Sequence, residues 1–359
     1  MEISVEGFGE SRCTKLFDGN TQSAVYKLRV TIVVKRAETG LGRAGTTGLS
    51  ILSSPLTIGL LSALRSQPRS VTELRNQVGS PSPTTLRGYL NDLEEAGIVS
   101  RRKQDAFPGT VMCELTASGR QLLIVGDVLQ AWLNAYADGP VALGTPLAKR
   151  LVKSLVDGWS ASIIRAIAAR PLCLIDLNGL ISSLNYPSLE RRLRAMRMAH
   201  LVEPVESEGQ STHYAPTLWL RAAIAPLSAA ARWERRFMPT TSTPIGRLDI
   251  EAAFLLVVPM LTLPEELSGR CRFAVETRNG NGGGMTGVLV EVEAGQVVSC
   301  VSQLRGEATG WACGSAGAWL RTVIDWEPAE LEIGGDTRLA KACLESLHQS
   351  LFRVRSLTP

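Results

Sequence analysis

The strongest constraint in this chain of 359 residues is an internal repeat. Displaced by 103 positions, residues 59–101 align with 162–204 without a gap. Ala63 meets Ala166, Pro68 meets Pro171, Leu74 meets Leu177, Leu86 meets Leu189, Leu90 meets Leu193, Ala96 meets Ala199 and Val99 meets Val202. The shared positions are mostly apolar, so what is duplicated is a core, and hence a fold.

Each copy reads the same way locally. Apolar spacing over 56–66 predicts a helix that stops at Gln67-Pro68. Ser70-Val71-Thr72-Glu73 is a capping box opening a short second helix. Ser82 caps a third helix with Pro83 at its first position, and Asn185 stands where Ser82 stood in the second copy. Leu86, Leu90 and Leu93 make the inward stripe of that helix; Leu189, Leu193 and Met196 make that of its counterpart. Outward lie Thr84, Arg87 and Asn91 in the first copy, Arg191 and Arg194 in the second. A strand from Ile98 through Arg101-Arg102-Lys103, a turn at 107–110 and a returning strand over 111–115 follow. Three helices and a β-hairpin make a winged helix-turn-helix.

With these residues in place, 50–131 resembles a MarR/HxlR-type winged-helix repressor domain. The resemblance is carried by Thr72-Glu73-Leu74, by the run from Thr84 to Val99 and by Glu114-Leu115-Thr116-Ala117-Ser118-Gly119-Arg120. Residues 158–217 resemble a second copy, opening with Gly158-Trp159 and carrying Tyr186-Pro187-Ser188-Leu189-Glu190-Arg191-Arg192-Leu193. The implied partner is double-stranded DNA. Arg191 and Arg194 are placed as guanine or phosphate readers. Thr84, Arg87 and Asn91 read or position the other half-site, and Arg101, Arg102 and Lys103 neutralise backbone phosphate. Two unlike copies in one chain imitate a two-fold dimer on a target that need not be a palindrome. Other readings stand beside this one: a solvated arginine face, winged helices that contact protein, or a second copy that serves dimerisation or spacing. The acidic second wing, Glu206-Ser207-Glu208-Gly209, and the acids Asp92, Glu94 and Glu95 of the first copy favour those alternatives.

Met238 to Pro244 is a linker by composition, and beyond it the pattern changes. Leu248 to Leu263 reads as an apolar helix, followed by alternating strands near 271–275, 288–293, 296–300, 311–313 and 331–333. Ser315 and Asp336 cap two helices. The order resembles the sterol-carrier-protein fold, an antiparallel sheet whose helices enclose an apolar tunnel. It rests on Val290 to Val297, on Cys313-Gly314-Ser315 leading into Trp319-Leu320, and on Glu332 to Asp336. It implies a small apolar or amphipathic ligand walled by Phe254, Met260, Val290, Trp311 and Trp319. An ordinary packed core, or a dimerisation domain, is the competing reading.

The expected class is therefore α+β: two winged helices over 46–137 and 144–237, then a sterol-carrier-like domain over 247–355, with 1–45 as a tail bearing one strand-like run, Val25 to Val34. Charge divides along the same line. Residues 1–246 carry 28 Lys and Arg against 20 Asp and Glu, residues 247–359 carry 10 against 14, so a polyanion would meet the front. No apolar run reaches the length of a membrane span, and the N-terminus has no signal-peptide pattern. Seven scattered cysteines without a Cys-x-x-Cys pair point to a reducing cytoplasm, with no disulfide framework, metal or cofactor expected. Cys300 and Cys313 could sense oxidants, although a buried, inert thiol is the commoner state. His200 and His213 are given no role. No paired carboxylates or activated nucleophile suggest an enzyme. The resulting expectation is a ligand-responsive transcriptional repressor, with a homodimer left open; a lipid-binding or scaffold protein that ignores DNA is the alternative.

Overall fold

The computed structural model describes residues 46–103, 110–156, 159–181, 184–206, 211–239, 247–277, 284–327 and 330–352. The run Val25 to Val34, the turn at 107–109, the second wing at 207–210 and the Gly-rich stretch 279–283 lie outside these residues.

The chain opens with α1 (Thr46–Leu52) and α2 (Pro55–Leu64). Then come β1 (Arg69–Ser70), α3 (Val71–Gln77), α4 (Pro83–Glu95), β2 (Val99–Lys103) and β3 (Val111–Leu115). The long α5 (Ala117–Asn134) and α6 (Pro146–Val156) follow. The order then recurs: α7 (Ser160–Ala168), β4 (Leu172–Cys173), α8 (Leu174–Leu180), α9 (Tyr186–Met198), β5 (Val202–Val205) and β6 (His213–Pro216). Two helices, α10 (Leu218–Ala222) and α11 (Ile224–Phe237), stand where α5 stood. Both small sheets have the same antiparallel order, β1-β3-β2 and β4-β6-β5.

Local chemistry explains the match. The Ser70 hydroxyl accepts from the Glu73 amide at 3.2 Å, and the Glu73 carboxylate accepts from the Ser70 amide at 2.7 Å, closing the capping box. Ser82 and Asn185 cap α4 and α9 by accepting from Thr85 and Ser188 at 3.1 and 3.0 Å. The leucine stripes of both helices are buried. Both helices stop the same way. The Ile98 amide donates to the Leu93 carbonyl at 2.8 Å, and the Leu201 amide to that of Met196 at 2.9 Å. The residue at the turn is left-handed in each: Gly97 at φ +67° and His200 at φ +53°. Thr116 and Thr217 then cap α5 and α10, their hydroxyls donating to the Gly97 and His200 carbonyls at 2.6 and 2.7 Å.

The two units meet through α5 and α11. Trp132 lies sixteen residues after Thr116, and Trp233 sixteen after Thr217; Ser118 and Trp219 each lie two residues after the same threonines. Trp132 Nε1 donates to the Trp219 carbonyl at 2.9 Å, and Trp233 Nε1 donates to the Ser118 carbonyl at 2.9 Å. Position i of one unit thus bonds position j of the other, and the reverse, which is the signature of an isologous two-fold interface. The two-fold is imperfect: Trp219 also returns a bond to the Trp132 carbonyl at 2.9 Å, with the rings stacked 4.0 Å apart. Helix α1 lies on α11, and its Gly48 amide donates to the buried carboxylate of Glu234 at 2.8 Å.

Beyond the linker come α12 (Arg247–Val257), a 3-10 turn (Val258–Met260), β7 (Gly269–Thr277), β8 (Gly284–Glu293), β9 (Gln296–Val301) and β10 (Gly310–Ser315). Helix α13 (Ala316–Leu320), a π-type turn (Arg321–Asp325), β11 (Glu332–Gly335) and α14 (Thr337–Phe352) complete this part. The sheet order is β11-β10-β7-β8-β9. It is mixed, which corrects the expectation of an antiparallel sheet: β10 runs parallel to β7, with Ala312 opposite Phe273. The chain leaves β9 and returns through 302–309 to the other side of β7, entering from the same end. Alternating side chains announce a strand but carry no information about its partner's direction.

This part docks on the second unit. Arg221 Nη1 donates to the carbonyls of Leu255 and Leu256 at 2.9 and 3.2 Å, placing a cation on the C-terminal end of α12. Burial pulls the Arg221 pKa below the ordinary arginine value. Arg165 of α7 forms an ion pair with Asp249 of α12. Within the third part, Phe254, Phe273 and Trp319 form an aromatic cluster with centroids 4.8–5.6 Å apart.

Candidate nucleic-acid interface

Helix α4 turns its leucines inward, so Thr84, Arg87 and Asn91 fall on its solvent side, and all three are exposed. On α9 the same geometry exposes Arg191 and Arg194. Arg194 lies along its own helix, paired to Glu190 at 2.9 Å, with 73% of the side chain in water. An exposed pair of that kind is worth about 0–1 kcal/mol, so a phosphate can take the guanidinium from Glu190 at small cost. Neither arginine is tucked under a neighbouring element.

The first wing behaves differently. Arg101 does not extend outward. Its Nε donates to Glu94 Oε2 at 2.8 Å and its Nη2 to Asn91 Oδ1 at 2.8 Å, so the base of the wing is tied to the exposed side of α4. The Arg101 hydrogen bond holds the Glu94 carboxyl below its ordinary pKa. Asn91 is thus held by a wing residue rather than left to rotate. Arg102 pairs with Glu114 at 3.2 Å yet keeps 80% of its side chain in solvent, and Lys103 is exposed. The sequence pattern located the basic strand, but which base turns back onto the helix depends on the register Arg101↔Cys113.

A second feature is an apolar cavity of about 190 Å³ between the second unit and the C-terminal part. Its walls include Ile164 and Arg165 of α7, Ala231 of α11, Phe254 of α12, and Trp319 of α13. The Arg165–Asp249 pair is its polar edge, and the buried Nε of Arg165 has no hydrogen-bond partner among the described residues. Of the five residues expected to wall a ligand site, the structure brings Phe254 and Trp319 to this cavity. Met260 sits half-buried in the 3-10 turn, Val290 is sealed inside the sheet, and Trp311 covers Gly334 on the neighbouring strand. These three do not line it, because the cavity lies on the helical side, against a neighbouring unit, rather than within the sheet. Sequence spacing had no signal for Ile164, Arg165 or Ala231, which arrive from another part of the chain.

Neither candidate oxidant-sensing thiol is fully exposed. Cys313 is buried, and burial pushes the Cys300 pKa up to about 12, leaving little thiolate at neutral pH.

The comparison with known families meets this geometry in the first unit. Residues 51–140 match the HxlR-like helix-turn-helix family. The matched stretch runs from the end of α1 past α5 and contains all six expected DNA contacts of the first copy, Thr84, Arg87, Asn91, Arg101, Arg102 and Lys103. The match points to a DNA-binding helix-turn-helix of the kind found in transcriptional regulators over these residues. No curated protein matches the sequence.

Proposed function

We propose that this protein is a one-component transcriptional repressor in which both copies are winged helices and the single chain stands in for a repressor dimer. The reciprocal tryptophan clasp carries the proposal. It joins the HxlR-like unit to its repeat by the residue-for-residue exchange that an isologous dimer would use. A fixed pair of unlike reading helices, α4 and α9, suits an asymmetric operator. The C-terminal part, read as a sterol-carrier-like domain, closes the cavity on the second unit. A cavity of about 150 Å³ lined by apolar side chains takes up benzene, so this one fits a compact apolar molecule of somewhat larger size. The orphan Arg165 N–H favours a ligand with one acceptor at its end. Because the walls come from both α7 and α12, such a ligand would favour one arrangement of the two parts over another and so reweight DNA binding. The reading makes the protein a regulator rather than a catalyst and puts it in the cytoplasm, in keeping with seven scattered cysteines that include no Cys-x-x-Cys pair.

The test is DNA binding by the full chain. Duplexes selected from a random pool are measured by fluorescence anisotropy across a salt series. Affinity should fall steeply with salt. Arg191→Ala with Arg194→Ala should weaken binding and reduce the log–log slope by about 2, since each phosphate no longer neutralised lowers it by about 0.9. An unchanged slope removes these arginines from the interface, and no duplex binding at low ionic strength ends the regulator reading.

A further inference from the structure

The repeat acts as its own control at one place where the copies diverge in chemistry. In the first copy Ser70 and Glu73 form the capping box, and Met112 lies opposite Ser70 across the β1–β3 pair. In the second copy Cys173, Asp176 and His213 occupy the same three places, with His213 opposite Cys173 across β4–β6. The exchange does not serve the helix. Cys173 caps nothing, and α8 starts without a side-chain N-cap. Instead the Cys173 thiol donates to Asp176 Oδ2 at 3.3 Å. Sulfur, carboxylate oxygen and imidazole nitrogen all lie within 4.8 Å of one another.

We propose that Cys173, Asp176 and His213 form a binding site for a borderline-soft divalent cation of the zinc class. A tetrahedral zinc ion with sulfur, nitrogen and oxygen ligands sets its donors about 3.5 Å apart, so the thiol–carboxylate edge is already at that length and the third donor closes by side-chain rotation. His213 Nδ1 lies 3.0 Å from the Ser211 carbonyl. That bond puts the ring proton on Nδ1 and leaves the Nε2 lone pair for a metal, the usual second partner of a ligating histidine. It also argues against a nucleophile–base–acid relay, which needs a carboxylate on the imidazole nitrogen far from the thiol. Cys173 is buried while Asp176 is exposed, so the site opens to water on one side. Three protein ligands and one water complete four-coordination. Thiolate and imidazole exclude calcium and magnesium, which take oxygen donors. On binding, the Cys173 thiol loses its proton to solvent and the ion joins the wing strand β6 to the start of α8. The reading of His213 as a residue without a role is thereby revised.

The experiment uses the full chain, reduced and stripped with a chelator, titrated with Co(II) and then Zn(II). One equivalent of Co(II) should give a thiolate-to-cobalt charge-transfer band with visible bands of tetrahedral intensity, both displaced by Zn(II), and Zn(II) should raise the thermal midpoint. Cys173→Ser restores the residue of the first copy and gives α8 a cap, so folding is not at risk; His213→Gln provides a second variant. Each should abolish the band and weaken Zn(II) binding by at least about 100-fold, the upper end of what loss of an outer-shell partner costs. Cys300→Ser should leave both intact. Absence of the band in the wild-type chain, or its survival in Cys173→Ser, overturns the proposal.

Discussion

Replacing Trp132 by Phe removes one donor from the clasp between the two units and keeps most of the apolar volume. The Trp219 carbonyl then loses the indole donor and keeps only the Ala223 amide, at 3.2 Å. One such hydrogen bond contributes about 0.5–1.5 kcal/mol net. The smaller ring also gives up part of a stack at 4.0 Å, a geometry worth about 0.5–1.5 kcal/mol when complete. Together these predict a loss of about 1–2 kcal/mol. Trp233→Phe takes the indole donor from the Ser118 carbonyl in the same way, but its nearest aromatic partner, Phe237, is tilted and 6.3 Å away. Its cost should be about 1 kcal/mol smaller. Urea unfolding of the full chain, followed by circular dichroism, measures both. The clasp also fixes α4 relative to α9, so the double variant should lose DNA affinity more steeply than either single one. A loss under about 0.5 kcal/mol for Trp132→Phe would show that the reciprocal bonds do not hold the units together, and the single-chain dimer argument would fail with them.

The Ser70 amide and hydroxyl depress the Glu73 pKa below its ordinary 4.5; a depressed carboxylate stabilises the fold above its unfolded pKa and loses that contribution as pH falls through the folded one. The wild-type advantage over Glu73→Gln, read from urea midpoints, should therefore be full at neutral pH and vanish in acid below 4.5. His200→Gly should stabilise the chain by about 0.5–1 kcal/mol, measured by thermal unfolding, because His200 holds φ +53° where the matching residue is Gly97. Ala253→Leu grows a side chain into the wall of the cavity of about 190 Å³ and should abolish the thermal shift given by octanoate while changing the unliganded stability by no more than about 1 kcal/mol. A shift that persists would locate the ligand elsewhere.

Much of the first unit was legible because its signals are local. Ser70 and Glu73 lie one turn apart, Pro83 follows its cap, and three leucines recur at helical spacing, so each is settled by neighbours in sequence. The same holds for Asn185, Ser315 and Asp336, which cap the helices expected of them. The exposed arginines of α9 followed from the same periodicity. The tryptophan clasp left a trace that only the repeat makes visible: equal offsets from two capping threonines.

The sequence by itself thus determined the duplicated core, the caps and which faces of α4 and α9 meet water. Tertiary structure decided that Arg101 folds back on Asn91, that β10 runs parallel to β7, that Phe254 and Trp319 share a cavity with α7, and that a cysteine, an aspartate and a histidine forty residues apart converge. The reason is physical. Capping and periodicity act between residues a turn apart, whose geometry the backbone fixes. Pairing direction, cavities and ligand clusters depend on which distant elements the packing brings together, and no local preference encodes that choice.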